Sequence, residues 1–215
     1  MNDVYEKMYK MLVEANEKFN LTRITDESEF LVKHVYDSKL GIPYVKGRVL
    51  DIGSGAGFPG IVLKIEKPEL DVTMIDSVSK KVNYLNSLIQ ALELKIIRAF
   101  HTRVEDLPEK EKFDTVTARA VARLNVLAEY ALPFVKIGGA FVAYKAEDSE
   151  EEINEAKYAI KLLGGKIEKV VEARLDENTV RKIIVIRKIS PTPNNYPRKG
   201  NKPRTSPLKV KATKE

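Results

Sequence analysis

The sequence contains no cysteine among its 215 residues. This absence excludes disulfide bonds, zinc sites built on thiolates and any mechanism that starts from a cysteine nucleophile. Histidine is also scarce, with only His34 and His101 in the chain. Neither histidine has a partner at metal-ligand spacing, so we predict no metal site and expect both residues to be structural.

Long apolar runs are missing as well, and no stretch is long enough to span a bilayer. The first residues, Met1 to Glu6, carry neither a basic start nor a hydrophobic signal segment. From these two absences we expect a cytoplasmic protein that makes no membrane contact.

Acidic residues are nearly absent from the last part of the chain. From Arg187 to Glu215 there are nine Lys or Arg residues and one acid, whereas residues 1–186 hold 28 basic and 30 acidic residues. The last part therefore carries a formal charge of +8 and the rest a charge of −2, so the basic character of the protein lies in its C-terminal tail. Contact with a polyanion should depend on that tail.

The segment Val49–Ile61 is the most informative part of the sequence, because a short apolar stretch ends in Asp51 and runs into a loop with four glycines. Such a strand, glycine turn and helix N-terminus form a nucleotide-sized pocket. Asp76, about 20 residues further on, could hold ribose hydroxyls. A carboxylate at Asp51 disfavours a pyrophosphate and favours a cationic ligand such as S-adenosylmethionine, so a dinucleotide is the second choice.

Strand and helix patterns alternate from Arg48 onward, which predicts a parallel sheet with helices on both faces. The strand candidates are Arg48–Ile52, Asp71–Asp76, Lys95–Phe100, Phe113–Ala118, Ala140–Lys145, Lys166–Glu172 and Lys182–Arg187. The helix candidates are Gly60–Glu66, Ser79–Leu92, Leu124–Val135 and Ser149–Leu163, besides two N-terminal ones that include Ser28–Lys39. The fold class is therefore α/β, with a seven-stranded, mostly parallel sheet. The last two strands have no helix between them and should form an antiparallel edge hairpin.

Three segments follow from this pattern. Residues 1–46 should form an N-terminal helical cap, residues 47–188 the main α/β domain, and residues 189–215 a basic, proline-rich tail. Since the tail has almost no apolar periodicity, we expect it to be extended or disordered when free.

Three further positions lie where ligands bind in open α/β sheets, at the carboxyl ends of strands. Arg103–Leu107 follows the third strand, Arg119 ends the fourth, and Lys145 ends the fifth. Each of these positions also has an interpretation without a ligand. Arg103–Leu107 could be a solvated acidic loop, and Arg119 and Lys145 could be ordinary surface cations.

Two further motifs are absent. No Asp or Asn followed by two prolines and an aromatic residue comes after the fourth strand, although that signature is usual for methylation of an exocyclic amine. A Gly-Lys-Thr phosphate loop is also missing. If the ligand is a methyl donor, the acceptor should be nucleophilic without covalent help.

Taken together, the motifs resemble the bacterial small-subunit ribosomal RNA guanine-N7 methyltransferases, the glucose-inhibited division protein B family. The resemblance covers nearly the whole chain and is carried by the following segments: Asn20-Leu21-Thr22, His34–Leu40, Asp51–Ile61, Asp76-Ser77 with Lys80-Lys81, Thr117-Ala118-Arg119-Ala120, and Tyr196-Pro197-Arg198-Lys199-Gly200. It implies a Rossmann-like, class I S-adenosylmethionine-dependent methyltransferase fold. Ala146, which follows Lys145, departs from the family pattern, since relatives usually have glycine at this position.

The loop and the resemblance together predict the cofactor-binding residues. They are Asp51, Gly53, Ser54, Gly55, Gly57, Phe58, Asp76, Ser77, Val78, Arg103, Val104, Glu105 and Arg119. The predicted RNA-binding residues are Lys145, Arg181, Arg198, Lys199, Lys202 and Arg204. Arg119 and Lys145 are also the candidate catalytic residues, which we expect to position RNA or cofactor without transferring protons.

The resemblance implies methyl transfer to N7 of a guanine in 16S ribosomal RNA, within the 30S subunit or its precursor. We expect the protein to act as a monomer. Two alternatives follow from the residues themselves. One is an NAD-dependent oxidoreductase, and the other is an RNA-binding protein that retains the fold without catalysis.

Overall fold

A computed structural model of the chain describes residues 3–108, 110–177 and 179–209. Within these residues, one sheet contains seven strands. They are β1 (Arg48–Ile52), β2 (Asp71–Asp76), β3 (Ile97–His101), β4 (Phe113–Arg119), β5 (Val135–Ala146), β6 (Gly165–Arg174) and β7 (Val180–Lys188).

The spatial order of the strands is β3-β2-β1-β4-β5-β7-β6. The pairs from β3 to β5 are parallel, whereas β7 is antiparallel to both β5 and β6. The predicted α/β sheet with an antiparallel edge hairpin is therefore confirmed. Since the strand order reverses between β1 and β4, the carboxyl ends of these strands open the crevice in which such sheets bind ligands.

Eight α-helices flank the sheet in the described part of the chain. They are α1 (Asp3–Lys18), α2 (Glu27–Phe30), α3 (Asp37–Lys39), α4 (Gly60–Glu66), α5 (Ser79–Ala91), α6 (Leu124–Ala131), α7 (Glu150–Leu162) and α8 (Lys202–Thr205). None of them has both the length and the apolar character that a bilayer-crossing helix requires.

Two predicted helices differ from the observed ones. The expected helix Ser28–Lys39 is interrupted by a π-helical segment, Leu31–Tyr36, between α2 and α3. The expected helix Leu124–Val135 ends as an α-helix at Ala131, because Pro133 has no N–H to donate and the chain tightens into a 3₁₀ turn. After this turn β5 begins at Val135, whereas the sequence predicts that the strand begins at Ala140.

The N-terminal helices pack onto the sheet and belong to the same core. Met8 and Leu12 of α1 are fully buried in one apolar cluster with Val49 of β1 and Leu85 of α5. A second cluster fills the opposite face of the sheet, beneath α6 and α7. The N-terminal helices therefore help to form the hydrophobic core as well as covering the domain.

The expectation of an extended or disordered tail is wrong for residues 189–209. Tyr196 packs against the cluster beneath α6, and Pro203 of α8 is buried. Arg198 donates from Nε and Nη2 to both carboxylate oxygens of Glu129, at 2.8 and 2.6 Å. Because Glu129 is completely buried, its carboxylate requires this cationic partner, and the ion pair fastens the tail to α6.

We expect Arg198→Ala to lower the free energy of unfolding by about 3 kcal/mol, because it leaves a buried carboxylate unpaired. Lys199→Ala is the comparison at the next residue. The Lys199 side chain contacts Asp106 and the carbonyl of Glu105 but is largely exposed, so its loss should cost less than about 1 kcal/mol. Urea denaturation followed by circular dichroism measures both changes. Similar small costs for the two variants would contradict a docked tail.

Candidate active site

The loop between β1 and α4 is shaped by its glycines. Gly53 and Gly57 have φ of 67° and 99°, in the region that favours glycine. A Cβ on Gly53 would stand 2.7 Å from Cγ2 of Val121, and one on Gly57 would stand 2.8 Å from Cγ1 of Ile61. Side chains are therefore excluded at these two positions by backbone conformation and by space.

Most N–H groups of this loop already donate within the protein. They include those of Gly53, Ser54, Gly55, Gly57, Phe58 and Gly60. A pyrophosphate bound in the manner of a dinucleotide needs such groups free at the helix N-terminus. The geometry therefore disfavours the dinucleotide alternative and favours a cofactor without phosphates.

Asp51 supports the loop from inside the core, and it does not line the cavity that is described next. The Asp51 carboxylate is fully buried, where it accepts hydrogen bonds from Thr117 Oγ1 at 2.8 Å and from the N–H of Gly60 at 3.3 Å. Burial raises the pKa of Asp51 to about 6, against the lowering effect of these bonds. We expected Asp51 to face a cationic ligand. Instead, it connects β1 to β4 and to the start of α4.

A cavity of about 250 Å³ opens above the carboxyl ends of β1, β2 and β4. Seven predicted cofactor residues line it: Gly53, Asp76, Ser77, Val78, Arg103, Val104 and Glu105. The predicted residues Asp51, Ser54, Gly55, Gly57, Phe58 and Arg119 do not. Residues that the sequence reasoning missed also line the cavity, among them Lys81, Thr102, Val121, Tyr130 and, from the tail, Arg204. We call this space the cofactor cavity.

The carboxylate of Asp76 has a defined orientation at the rim of the cofactor cavity. Its Oδ2 accepts from the N–H of Gly55 at 3.0 Å and its Oδ1 from the N–H of Val78 at 2.9 Å. Each carboxylate oxygen can accept a further hydrogen bond, which suits the hydroxyls of a ribose. Glu105 lies at the same rim, 3.5 Å from Arg103 Nε.

A second cavity of about 420 Å³, here called the acceptor cavity, adjoins the first. Its polar lining comprises Lys33, His34, Asp37, Arg119, Tyr144, Lys145, Glu152 and Arg181. Ala120 lines both cavities, and its φ of 56° is rare for a residue with a side chain. The backbone turn at Ala120 therefore separates the two spaces.

Arg119 and Arg181 converge on one buried carboxylate, that of Asp37. Arg119 Nη1 donates to Asp37 Oδ2 at 2.8 Å, and Arg181 Nε donates to Oδ1 at 3.2 Å. Arg119 also donates to the carbonyl of Lys33 at 2.9 Å. Two cations around one anion leave excess positive charge in the acceptor cavity.

His34 is neutral and has both ring nitrogens engaged. Burial, and then the charge of Arg119, lowers the pKa of His34 to about 3. Arg119 Nη2 lies 3.0 Å from Nδ1 and can only donate, so Nδ1 accepts and Nε2 carries the proton toward Thr22 Oγ1 at 3.1 Å. His34 also stacks on Phe58, with centroids 4.3 Å apart. Phe58 thus supports the loop from the side of the acceptor cavity.

The predicted RNA-binding residues occupy different places. Lys145 lies in the acceptor cavity, where its ammonium group pairs with Glu152 and donates to the carbonyl of Ala122 at 2.6 Å. Arg181 lies beside it, whereas Arg198 and Lys199 pair with acids of the main domain and Lys202 is exposed. Within the described ranges, no three His, Asp or Glu side chains form a cluster that could hold a metal ion.

Comparison with known proteins identifies close relatives. The family model described as rRNA small subunit methyltransferase G (GidB) matches residues 1–183. The chain is 46% identical over 213 residues to ribosomal RNA small subunit methyltransferase G of Streptococcus pneumoniae serotype 19F, with 95% of this chain and 90% of that protein covered. The protein of the same name from Staphylococcus carnosus is 45% identical over 214 residues, covering 95% of this chain and 89% of that protein.

Solved structures share the fold at low sequence identity. M. jannaschii TYW2 in complex with AdoMet superimposes with a TM-score of 0.60 at 17% identity, over 78% of this chain and 80% of that one. A SAM-dependent methyltransferase from Aquifex aeolicus gives a TM-score of 0.57 at 18% identity, over 81% of this chain and 97% of that one. The fold is therefore that of S-adenosylmethionine-dependent methyltransferases.

We expect Asp51→Asn to change the pH dependence of stability. Because the pKa of Asp51 is raised from 3.8 to about 6, the folded protein retains a proton that the unfolded chain releases. The stability due to this group is present below about pH 4 and is lost as the pH rises through about 6. Relative to the Asn variant, the wild type should therefore lose stability between about pH 4 and pH 7 in urea denaturation. A constant difference between the two proteins over this range would contradict the prediction.

Proposed function

Since this chain belongs to the rRNA small subunit methyltransferase G family, we propose that it transfers a methyl group from S-adenosylmethionine to N7 of a guanine in 16S ribosomal RNA. The observation that carries this proposal is the junction of two cavities at Ala120. One cavity begins at Gly53 of the glycine loop and suits the cofactor, and the other has an excess of basic side chains and suits an RNA nucleotide.

The residues of the cofactor cavity fit S-adenosylmethionine, which supplies the transferable methyl group. Asp76 has acceptor capacity for the ribose hydroxyls, and we assign the adenine to Val104 and Glu105, which line the cavity after β3. Gly53 also lines the cavity, and without a side chain it lets a ligand approach the backbone closely. Most N–H groups of the glycine loop already donate within the protein, so the loop does not require a phosphate to bind them.

The acceptor cavity has the charge and size for a nucleotide. Four of its lining residues are basic (Lys33, Arg119, Lys145 and Arg181), and two are acidic. Basic side chains at such a rim attract and hold RNA phosphates. A volume of about 420 Å³ lies within the range of small-ligand sites, so a base presented from a loop or flipped from a helix could enter.

The side chains around the acceptor cavity match a reaction that needs no general base. The N7 atom of guanine carries an in-plane lone pair and attacks without prior deprotonation. His34 is neutral with both nitrogens bonded, and Arg119 is held by Asp37 and remains charged. These groups orient their neighbours and transfer no proton. Alignment of the acceptor with the donor, which can lower a barrier by several kcal/mol, is then the main contribution of the protein.

A single chain forms both cavities, which supports action as a monomer. We propose the 30S subunit or its precursor as the substrate particle and the cytoplasm, where ribosomes are assembled, as the compartment. The alternative of an RNA-binding protein without catalysis is disfavoured by the intact glycine loop and the oriented Asp76.

The proposal is tested with radiolabelled S-adenosylmethionine and 30S subunits from a strain that lacks the activity. Label recovered at guanine N7 of 16S RNA is the expected result. Cofactor binding without label in 30S subunits, precursor particles or naked 16S RNA would overturn the assigned substrate. No binding of S-adenosylmethionine at all would overturn the enzyme assignment.

We expect Arg181→Ala to lower kcat/KM for methylation of 30S subunits about tenfold, because it removes one cation from the acceptor cavity. Arg187→Ala on the same strand is the control, since this side chain pairs with Glu168 away from both cavities. Asp37 keeps Arg119 as a partner in the first variant, so the fold should persist. Equal activity of the two variants would contradict a role of the acceptor cavity in RNA binding.

A further inference from the structure

The tail reaches the cofactor cavity, although its composition predicts only RNA contact. Arg204, on α8, is one of the residues that line this cavity, together with Tyr130 of α6. Its guanidinium lies near the turn after β4, with Nη2 3.4 Å from the carbonyl oxygen of Val121. Arg204 lies 83 positions after Val121 in the sequence, and the tail that carries it therefore lines part of the cofactor cavity.

Two contacts hold the tail in this position independently of any ligand. Arg198 is paired with the buried Glu129 of α6, one residue before Tyr130. Lys199 donates to the backbone carbonyl of Glu105, at 2.5 Å, and pairs with Asp106. The tail is thus fastened to both elements that border one end of the cofactor cavity.

The surroundings of Arg204 identify which end of the cavity it faces. Tyr130 and Arg204 line the cavity together with Arg103 and Glu105, which follow β3. The Tyr130 hydroxyl is close enough to Glu105, Arg103 and Arg204 for their charges to affect its pKa. Burial and Glu105 raise the pKa of Tyr130, while Arg204 opposes that change. The end of the cavity that follows β3 is the end to which the proposed function assigns the adenine of S-adenosylmethionine.

We propose that Arg204 is a cofactor-binding residue at the adenosine end of the site, which the tail completes. The inference rests on the proposed function, because it requires that the cavity bind S-adenosylmethionine. A planar guanidinium can stack on the face of an adenine ring, as it does on aromatic side chains. Arg204 thereby has a role distinct from phosphate binding, for which the exposed Lys202 on the same short helix remains available.

The test compares Arg204→Ala with Lys202→Ala in the full-length protein. Isothermal calorimetry measures binding of S-adenosylhomocysteine and of 5′-methylthioadenosine, which keeps the adenosine but lacks the amino-acid end. Arg204→Ala should weaken both ligands about tenfold, whereas Lys202→Ala, with the same loss of charge, should change neither more than about twofold.

The outcomes separate this inference from the proposed function. If the wild type fails to bind S-adenosylhomocysteine, the proposed function fails. If the wild type binds and Arg204→Ala binds equally well, only the role of Arg204 is overturned. A loss for S-adenosylhomocysteine alone would overturn the placement at the adenosine end. Arg204→Gln repeats the measurement, and thermal unfolding without ligand shows whether either variant disturbs the fold.

Discussion

The buried carboxylate of Asp51 is the constraint on which the ligand-binding edge of the sheet depends. It stands at the carboxyl end of β1 and binds Thr117 of β4 and the N–H of Gly60 at the start of α4. Because a carboxylate out of water must be satisfied by donors, the three elements have one favourable arrangement. The glycine loop is held between Asp51 on one side and Asp76 on the other, and the cofactor cavity opens where this loop begins, at Gly53.

Two other buried acids, Asp37 and Glu129, bring distant segments of the chain together. Asp37 binds Arg119 of β4 and Arg181 of β7, and so joins the N-terminal helices to the sheet. Glu129 binds Arg198 and so joins the tail to α6. Each ion pair sets the position of a segment beside a cavity, because breaking it would leave an uncompensated charge in the interior. Residues 3–46 and 189–209, which the sequence separates from the main domain, therefore contribute side chains to the two cavities.

The fold was largely predictable, and the site was predictable in part. Strand bounds such as Arg48–Ile52 and Asp71–Asp76 follow from short apolar runs between turn signals, which are local properties. The cofactor-cavity residues that were predicted lie at the end of a strand, as Asp76 does, or shortly after one, as Glu105 does. Arg204 and Tyr130 carry no such local signal. Arg204 reaches the cavity because the Arg198–Glu129 ion pair, which joins residues 69 positions apart, holds the tail against α6, the helix that carries Tyr130.

The sequence by itself determined the class of fold, the position of the glycine loop and the family, because the apolar periodicity of strands and helices and the spacing of motifs are local properties of the chain. Only the tertiary structure decided that Asp51 supports the loop from inside the core and that Arg119 faces the acceptor cavity. It also decided that Arg204 of the basic tail lines the cofactor cavity. In each case the deciding factor is a buried carboxylate, that of Asp51, Asp37 or Glu129, whose hydrogen-bond donors come from distant segments that folding brings near.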